Sequence, residues 1–305
     1  MISVSNAFVT ALHAGAPQRW AFVWDADSTI LTNEDISVED GVSYDETFCS
    51  ETDLTVGLTP SSHMSFTMLN ADYQWLNFPF GRFTAKLGVR ISVAENDSAR
   101  TRRPTIAING NTMTASGNGI LETYELAPFG IFYATRPDIL RKTQIAVDAY
   151  DTMTLFDRSM PSFTTLGLSN TNVSAGALLD AMCSYLNVAT VTNLSSTFLN
   201  HGVTLAKEPK SFKSSSMRDV LGYIAELGCS VARFNREGKL NLVWLNPINA
   251  SYNEHGYVSF DRTEYSTTAV NKLSVRNDDQ TQETVVGTGT TSPYMIQDNP
   301  FLNQA

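Results

Sequence analysis

The residues of this chain whose spacing is best suited to catalysis are two aspartates and a threonine at alternate positions. Asp25, Asp27 and Thr29 directly follow the apolar run 21–24. In phosphoryl transfer one aspartate can attack phosphorus, a second can serve as acid and base, and both carboxylates can hold Mg²⁺, which neutralises charge. By residue type alone, the segment permits a Mg²⁺-dependent phosphatase centred on Asp25 and Asp27.

The elements around this motif decide between a phosphatase and a turn. The motif matches the D-x-D-x-T signature of haloacid-dehalogenase-like phosphatases, whose fold requires alternating strands and crossover helices after it. Residues 32–150 instead contain short β-branched and aromatic runs separated by turn residues. A β-hairpin whose turn is Asp25–Ser28 is therefore the favoured interpretation, and the phosphatase is the enzymatic alternative.

The other ligand-type residues lack the spacing of a metal or nucleophile site. The three cysteines include no CxxC pair, and the four histidines never stand three or four residues apart. Counted from Asp25, the sixth position of a calcium loop would be Ile30, where glycine is needed. We therefore predict that the chain is not an enzyme and has no catalytic residue, no metal and no cofactor.

Negative charge is concentrated near the start of the chain. Residues 1–60 hold ten acidic residues and one basic residue, so they account for −9 of the formal net charge of −10. Because binding to phosphates needs Lys and Arg, this acidic segment is not expected to bind nucleic acid. The N-terminus lacks a basic region and no run of about 18 apolar residues occurs, which predicts neither a signal peptide nor a membrane span.

The clearest structural pattern lies at residues 214–245. Ser216 and Asp219 have the spacing of a capping box, apolar residues then recur at helical spacing, and Gly228 ends the predicted helix. Two short apolar runs joined by the polar residues 235–238 follow, which predicts a hairpin. Together with a second amphipathic helix predicted over 174–187, these elements form an α+β unit.

Residues 1–150 have a β-rich pattern after one short helix predicted over 5–13, with Ser5 or Asn6 as its cap. The runs predicted as strands are 20–24, 29–31, 36–38, 64–69, 83–93, 105–108, 120–126, 131–134 and 144–150. They leave no room for regular crossover helices, so an antiparallel barrel or sandwich is predicted.

The pattern of the last 50 residues differs again. Residues 257–260 and 269–276 are predicted as strands, and 277–305 is polar and turn-rich without a further element, as expected for a chain cut inside a domain. The predicted domains are a β domain over 1–150, an inserted α+β domain over 151–256 and the beginning of a second β domain over 257–305.

Aromatic residues are dense in the first predicted domain. They include Trp20, Trp24, Trp75, Phe78, Phe80 and Phe83. Core packing is the default interpretation. Because aromatic residues are enriched at interfaces, we expect part of the run 73–83, namely Trp75, Phe78 and Phe80, to lie at a subunit contact.

The order of several segments resembles a known family. The segments are NAFVTALHAGAPQR, NEDISVED, VGLTPSSHMSFTMLN, AVDAYDTM, MRDVLGYIAELG, FNREGKLNLVWL and DNPFLN. In this order they resemble the tail hub, or tail-tip, proteins of phages and prophages, which are similar to baseplate hubs. The resemblance implies a mainly β fold: a tail-tube-like β-barrel, a domain of two helices plus a hairpin, and the start of a second β-barrel.

The resemblance also implies a function and partners. The chain is expected to be a structural protein of the virion tail tip or of a prophage-derived particle, made in the bacterial cytoplasm. Full-length copies would form a homotrimeric hub ring that continues the tail tube and contacts the tape-measure protein, the distal tail protein and tail-tip or spike proteins. DNA would pass without specific binding, and no membrane is involved. Another β-rich virion module, such as a distal tail or receptor-binding protein, is a second alternative.

In such a ring the acidic segment has two alternative positions. It faces the channel, where carboxylates would repel DNA phosphates, or it covers an outer, solvated face. The residues expected to face the channel in the first case are Asp25, Asp27, Glu34, Asp35, Glu39 and Asp40.

We predict that the 305-residue chain is monomeric at micromolar concentration. In the resembling family the ring needs both barrels of each chain, and the strands after residue 257 are too few to close a second one. Light scattering measures the mass directly, and a stable trimer at this concentration would contradict the prediction.

Overall fold

The computed structural model of the chain describes residues 4–26, 28–37, 39, 41–46, 56–70, 80–95, 105–117, 119–135, 143–244, 273–276, 283–286, 294–296 and 299–302. These residues form two compact units. Unit 1 comprises Met1–Glu46, Ser62–Thr154 and Phe234–Gly238, and unit 2 comprises Thr47–Ser61, Leu155–Arg233 and Lys239–Ala305. The division into domains at 150 and 256 stays a prediction.

Unit 1 is built on one antiparallel sheet of nine strands. The strands are β1 Gln18–Trp24, β2 Ile30–Thr32, β3 Val42–Asp45, β4 His63–Leu69, β5 Arg82–Glu95, β6 Thr105–Asn109, β7 Thr112–Gly117, β8 Ile120–Ala134 and β9 Gln144–Asp151. Their order is β2-β1-β5-β8-β9-β4-β3, and β7 joins β8 while β6 joins β7. The predicted mainly β architecture is confirmed.

The sheet curls strongly around one core. β1 and β4 are four strands apart in the sheet order, which in a flat sheet would separate them by about 19 Å. The rings of Phe22 in β1 and Phe66 in β4 nevertheless stack with centroids 4.6 Å apart. Just after β2, Ile36 pairs with Met68 of β4, so the chain passes from one end of the sheet order toward the other. Among the described pairs, none joins β2 to β3 to close a barrel.

Alternation along the strands separates the core from the outer face. Trp20, Phe22 and Trp24 share the inner face of β1, and the two last-named rings are fully buried. Phe80 packs edge-on against Trp24, with centroids 5.8 Å apart. The core role predicted for the aromatic residues is confirmed for these residues and for Phe83, whereas Trp75 and Phe78 lie outside the described part of the chain.

β8 shows where the strand prediction was wrong. The runs predicted separately at 120–126 and 131–134 form one strand of 15 residues. Ala85 pairs with Gly130 and Lys86 with Pro128, so Phe129 is an extra residue in β8. A β-bulge at this point accommodates the proline, which cannot donate a regular ladder hydrogen bond. β3 and β7 were not predicted, because they have few large apolar residues.

The described part of unit 1 contains one α-helix. It is α1, Asn6–His13, and the Ser5 hydroxyl accepts a hydrogen bond from the Phe8 backbone N–H at 3.1 Å. Phe8 is buried against Val89 of β5 and Ala127 of β8. The predicted N-terminal helix is confirmed, and of the two predicted caps, Ser5 and Asn6, the structure has Ser5.

Unit 2 contains an α+β group of elements that includes the two predicted helices and the two strands of the predicted hairpin. They are β10 Val173–Ser174, α2 Ala175–Leu186, α3 Leu194–Thr197, β11 Thr204–Leu205, α4 Met217–Leu227, β12 Ser230–Phe234 and β13 Leu240–Trp244. The Ser216 and Asp219 side chains form the predicted capping box at the start of α4, and Gly228 follows its last turn. The short helix α3 and the two-residue strands β10 and β11 were not predicted.

The end of the chain contains more structure than predicted. β14 Leu273–Arg276 lies between β15 Glu283–Val286 and β16 Tyr294–Ile296. Farther along, Asn299 donates hydrogen bonds to the Tyr223 carbonyl at 3.1 Å and to the Glu226 carboxylate at 2.7 Å. Phe301 is buried. The prediction that 277–305 reaches no further element is therefore wrong, because the long-range contacts of Asn299 and Phe301 cannot be inferred from local composition.

Mutation of Leu221 to alanine should lower the free energy of unfolding by about 2–5 kcal/mol, as for other fully buried leucines. Leu221 is completely buried on α4, which packs against α2. Urea denaturation of the full chain measures the change. The matched control is Tyr185→Ala on α2, whose side chain is 50% exposed and should cost much less. A change below about 0.5 kcal/mol for Leu221→Ala would mean that this helix face is not packed.

Candidate functional site

The Asp-x-Asp-x-Thr segment forms the turn of the β1–β2 hairpin. Val23 pairs with Ile30, and the Trp24 N–H donates to the Thr29 carbonyl at 2.9 Å. Ser28 has a φ of 58°, a left-handed conformation that tight turns use. The predicted hairpin is confirmed, while Asp27 lies outside the described residues.

Asp25 is paired with a base from the neighbouring strand. The Arg82 guanidinium forms an ion pair with the Asp25 carboxylate, and the Asp25 N–H donates to the Arg82 carbonyl at 3.1 Å. Both side chains are exposed to solvent. Within the described ranges, no group of three His, Cys, Asp or Glu residues could hold a metal ion. The described geometry around Asp25 is therefore that of a surface ion pair.

The other acidic candidates follow β2. Asp35 accepts a hydrogen bond from the Thr32 N–H at 2.9 Å and so caps a single 3₁₀ turn, Asn33–Asp35. The Glu34 carboxylate accepts a hydrogen bond from Arg19 at 2.8 Å. Glu39 is exposed, and Asp40 lies outside the described part of the chain.

The hairpin keeps its acidic residues apart. Asp25 follows the last residue of β1, whereas Glu34 pairs with Arg19 near the start of that strand. A strand rises about 3.3 Å per residue, so the two carboxylates lie about 20 Å apart along the hairpin. The structure thus spreads these residues along a hairpin and does not gather them into one cluster.

A second charged group, which the sequence analysis missed, lies at the opposite end from Asp25. Glu122 of β8 receives a hydrogen bond from Arg90 at 2.6 Å and one from the Tyr124 hydroxyl at 2.9 Å. The Arg19 guanidinium lies 3.8 Å from Glu122 and 5.4 Å from the centroid of the Tyr124 ring. We call these four residues and Glu34 the ion-pair cluster. Arg19, the single basic residue in residues 1–60, is the feature of the sequence that could have pointed to this cluster.

Contacts within the ion-pair cluster shift the pKa values of Glu122 and Tyr124. Partial burial disfavours the charged form of Glu122, but hydrogen bonds from Arg90 and Tyr124 and the charges of Arg90 and Arg19 prevail and lower its pKa. Burial, followed by the hydrogen bond to Glu122, raises the pKa of Tyr124. These shifts follow from mutual pairing, so they indicate a structural role.

Unit 2 also contains an apolar cavity and a buried cysteine. A cavity of about 400 Å³ is lined mainly by apolar side chains, including Val191, Leu194, Phe198 and Leu242, and none of its described lining residues is titratable. Burial raises the pKa of the Cys183 thiol to about 12, so this cysteine is not a reactive thiolate near neutral pH. Neither feature indicates a catalytic site. In the described part of the chain, no helix has the length and apolar character to cross a bilayer.

Comparison with known proteins gave similarity only to solved structures. No family model and no curated protein matches the chain. The 43 kDa tail protein of prophage MuSo2 from Shewanella oneidensis is 11% identical over 92% of this chain and 71% of that protein, with a TM-score of 0.45. A tail protein from Neisseria meningitidis MC58 is 11% identical over 94% of this chain and 74% of that protein, with a TM-score of 0.42. Both of these proteins are tail proteins.

Replacing Arg90 with methionine should raise the pKa of Glu122, because the carboxylate loses a hydrogen bond and its nearest positive charge. A carboxyl group with a lowered pKa stabilises the fold above its unfolded pKa, and this contribution is lost as the pH falls through the folded value. Wild type should therefore exceed the variant in stability by about 0.5–1 kcal/mol near pH 7. The difference should shrink as the pH falls below the ordinary Glu value of 4.5.

An NMR titration of the Glu122 side-chain carboxyl measures this pKa. Arg82→Met is the matched control, because Arg82 pairs with Asp25 and should leave the pKa of Glu122 unchanged. An unchanged Glu122 pKa in Arg90→Met would show that the pairing with Arg90 is absent in solution.

Proposed function

We propose that the chain is a structural, non-enzymatic component of a phage or prophage tail tip. In this role it belongs to a hub ring that continues the tail tube and joins the tape-measure end to the distal tail ring. One observation carries the proposal: the order of elements agrees with the sequence resemblance. A curled antiparallel sheet with Phe22 stacked on Phe66 comes first, and the helices α2 and α4 with the β12–β13 hairpin follow.

The proposed assembly is a homotrimer of the full-length protein. Its partners would be the distal tail protein, the tape-measure protein and tail-tip or spike proteins, and its location would be the tip of the virion or of a prophage-derived particle. DNA would pass through the ring without specific binding. A subunit contact at Trp75, Phe78 and Phe80 belongs to this proposal, with Phe80 already packed beside the core of unit 1.

Part of the acidic segment is proposed to line the channel of this ring. The hairpin distributes its carboxylates along a strand, and a lumen with negative charge would not retain DNA phosphates. Among the candidates, Asp25 and Glu34 are paired with Arg82 and Arg19, and Glu39 is exposed. A structure of the assembled ring with these side chains on its outer wall would contradict the assignment.

The geometry of Asp25 favours this structural role over the Mg²⁺-dependent phosphatase. A nucleophilic aspartate needs an open approach to phosphorus and a metal to neutralise charge. Asp25 is held by Arg82 at an exposed hairpin turn. The other alternative, a different β-rich virion module, would share the fold but would occupy another position in the particle.

Deletion of the gene from a phage or prophage that encodes the protein should abolish assembled tails, and the wild-type chain supplied in trans should restore them. Electron microscopy of the particles, with gold-labelled antibody against the chain, should place the label at the tip of the tail. Label along the tail or on distal fibres would favour another virion module. Normal tails without the protein would contradict a structural role.

An activity assay distinguishes the structural role from the phosphatase alternative. The purified chain with Mg²⁺ and p-nitrophenyl phosphate should show no turnover above background. Asp25→Asn should restore tails as well as wild type does, since an amide keeps one hydrogen-bond acceptor for Arg82. Turnover that Asp25→Asn removes would support the enzyme.

A further inference from the structure

The apolar cavity of unit 2 lies between two walls of that unit. One wall is formed by the segment around α3, and the other is formed by the end of α4 and the β12–β13 hairpin. The lining residues of the first wall are Val191, Leu194, Thr197, Phe198 and Leu199, and those of the second wall are Gly228, Ser230, Asn241 and Leu242. The cavity volume of about 400 Å³ is within the usual range for small-molecule pockets.

Hydrogen bonds hold the two walls together on both sides of the first wall. On one side, the Leu240 N–H donates to the Ala189 carbonyl at 2.8 Å, and the Val191 N–H donates to the Leu240 carbonyl at 3.0 Å. On the other side, the Asn200 side-chain amide donates to the Leu227 carbonyl at 3.0 Å. Because both flanks of the first wall are fixed, the space between the walls exists before any ligand binds.

The polar groups of the cavity are uncharged, since none of its described lining residues is titratable. The Ser230 hydroxyl donates to the Ala225 carbonyl at 3.1 Å, and the Thr197 hydroxyl donates to the Asn193 carbonyl at 2.9 Å. Both hydroxyls therefore offer a ligand only acceptor lone pairs. Asn241 is half-buried, and none of the described residues forms a hydrogen bond with its side-chain amide. This amide can both donate to a ligand and accept from it.

This lining determines which ligands the cavity favours. An apolar body gains free energy when it leaves water for the apolar walls. An ionised group would lose its hydration and find no opposite charge, so a charged ligand is disfavoured. A single uncharged hydrogen-bonding group would be matched by the Asn241 amide.

We propose that this cavity binds an uncharged, largely apolar small molecule that places one hydroxyl or similar polar group on Asn241. An engineered cavity of about 150 Å³ in another protein holds benzene, so this cavity has room for a molecule of about two fused rings. One apolar side chain from a partner protein would leave much of the space empty, which favours a small molecule as the occupant. The proposal rests on the cavity alone and does not depend on the proposed tail-tip function.

The test is an NMR titration of the full chain with 2-naphthol, which has two fused rings, one hydroxyl and no charge at pH 7. This molecule should bind at one site with a dissociation constant of about 0.1 mM, as expected for so few atoms. Binding should shift the backbone amide signals of Leu194, Phe198 and Leu242. The ionised analogue 2-naphthoate should bind about tenfold or more weakly, because its carboxylate would be buried without a partner.

Two variants test the location of the ligand. Val191→Trp places a larger side chain in the lining and should weaken binding of 2-naphthol by about tenfold or more. Its matched control is Tyr185→Trp, at an exposed position of α2 outside the cavity lining, which should not change binding. Asn241→Leu should weaken binding of 2-naphthol by about three- to tenfold, through the loss of one hydrogen bond. It should not weaken binding of naphthalene, which has no hydroxyl.

Thermal melting monitored by circular dichroism establishes which variants fold. The proposal would be overturned if 2-naphthol produced no saturable shift at the cavity, if 2-naphthoate bound equally well, or if a folded Val191→Trp bound like wild type. If Val191→Trp does not fold, the comparison in Asn241→Leu provides the test. An equal loss of 2-naphthol and naphthalene binding in that variant would show that the amide does not contact the hydroxyl, which also contradicts the proposal.

Discussion

The stacking of Phe22 on Phe66 is the contact on which unit 1 depends. The two rings come from strands that a flat sheet would hold far apart, so their contact requires the sheet to curl. Phe83 and Phe132 complete the aromatic centre, with ring centroids 5.8 Å apart. Aromatic side chains bury large areas, so most of the stability of this unit should come from a core that exists only while the sheet is curled.

The long β5–β8 pair contains two β-bulges, one with Ile91 of β5 as its extra residue and one in β8, and these bulges let the pair follow the curvature. The extra residue in β8 is Phe129, whose ring lies edge-on to Trp20 and Tyr44 at 4.8 and 4.7 Å. Phe129 and Tyr44 in turn flank the Arg236 guanidinium, which lies 4.3 Å from the Phe129 centroid. Bulges increase local twist and re-aim side chains. The same bulge that bends the strand thereby forms a cation–π site for a residue more than 100 positions later in the chain.

The features predicted correctly from sequence are those that neighbouring residues determine. The capping box of Ser216 and Asp219, the Ser5 cap and the turn after Asp25 each depend on a few adjacent residues. The missed features depend on partners distant in sequence. β7 has only six residues of modest β propensity and is a strand because β8 lies beside it. Glu122 and Arg19 are about 100 positions apart and meet only through strand pairing.

Negative charge is concentrated in one part of the chain, and this distribution bears on how copies can meet. The first 60 residues hold nearly all of the net negative charge, so two copies that approached through these surfaces would repel each other. Pairing with Arg82, Arg19 and Arg236 reduces this field locally at Asp25, Glu34 and Glu46. Electrostatic repulsion therefore disfavours contacts between copies through the acidic segment.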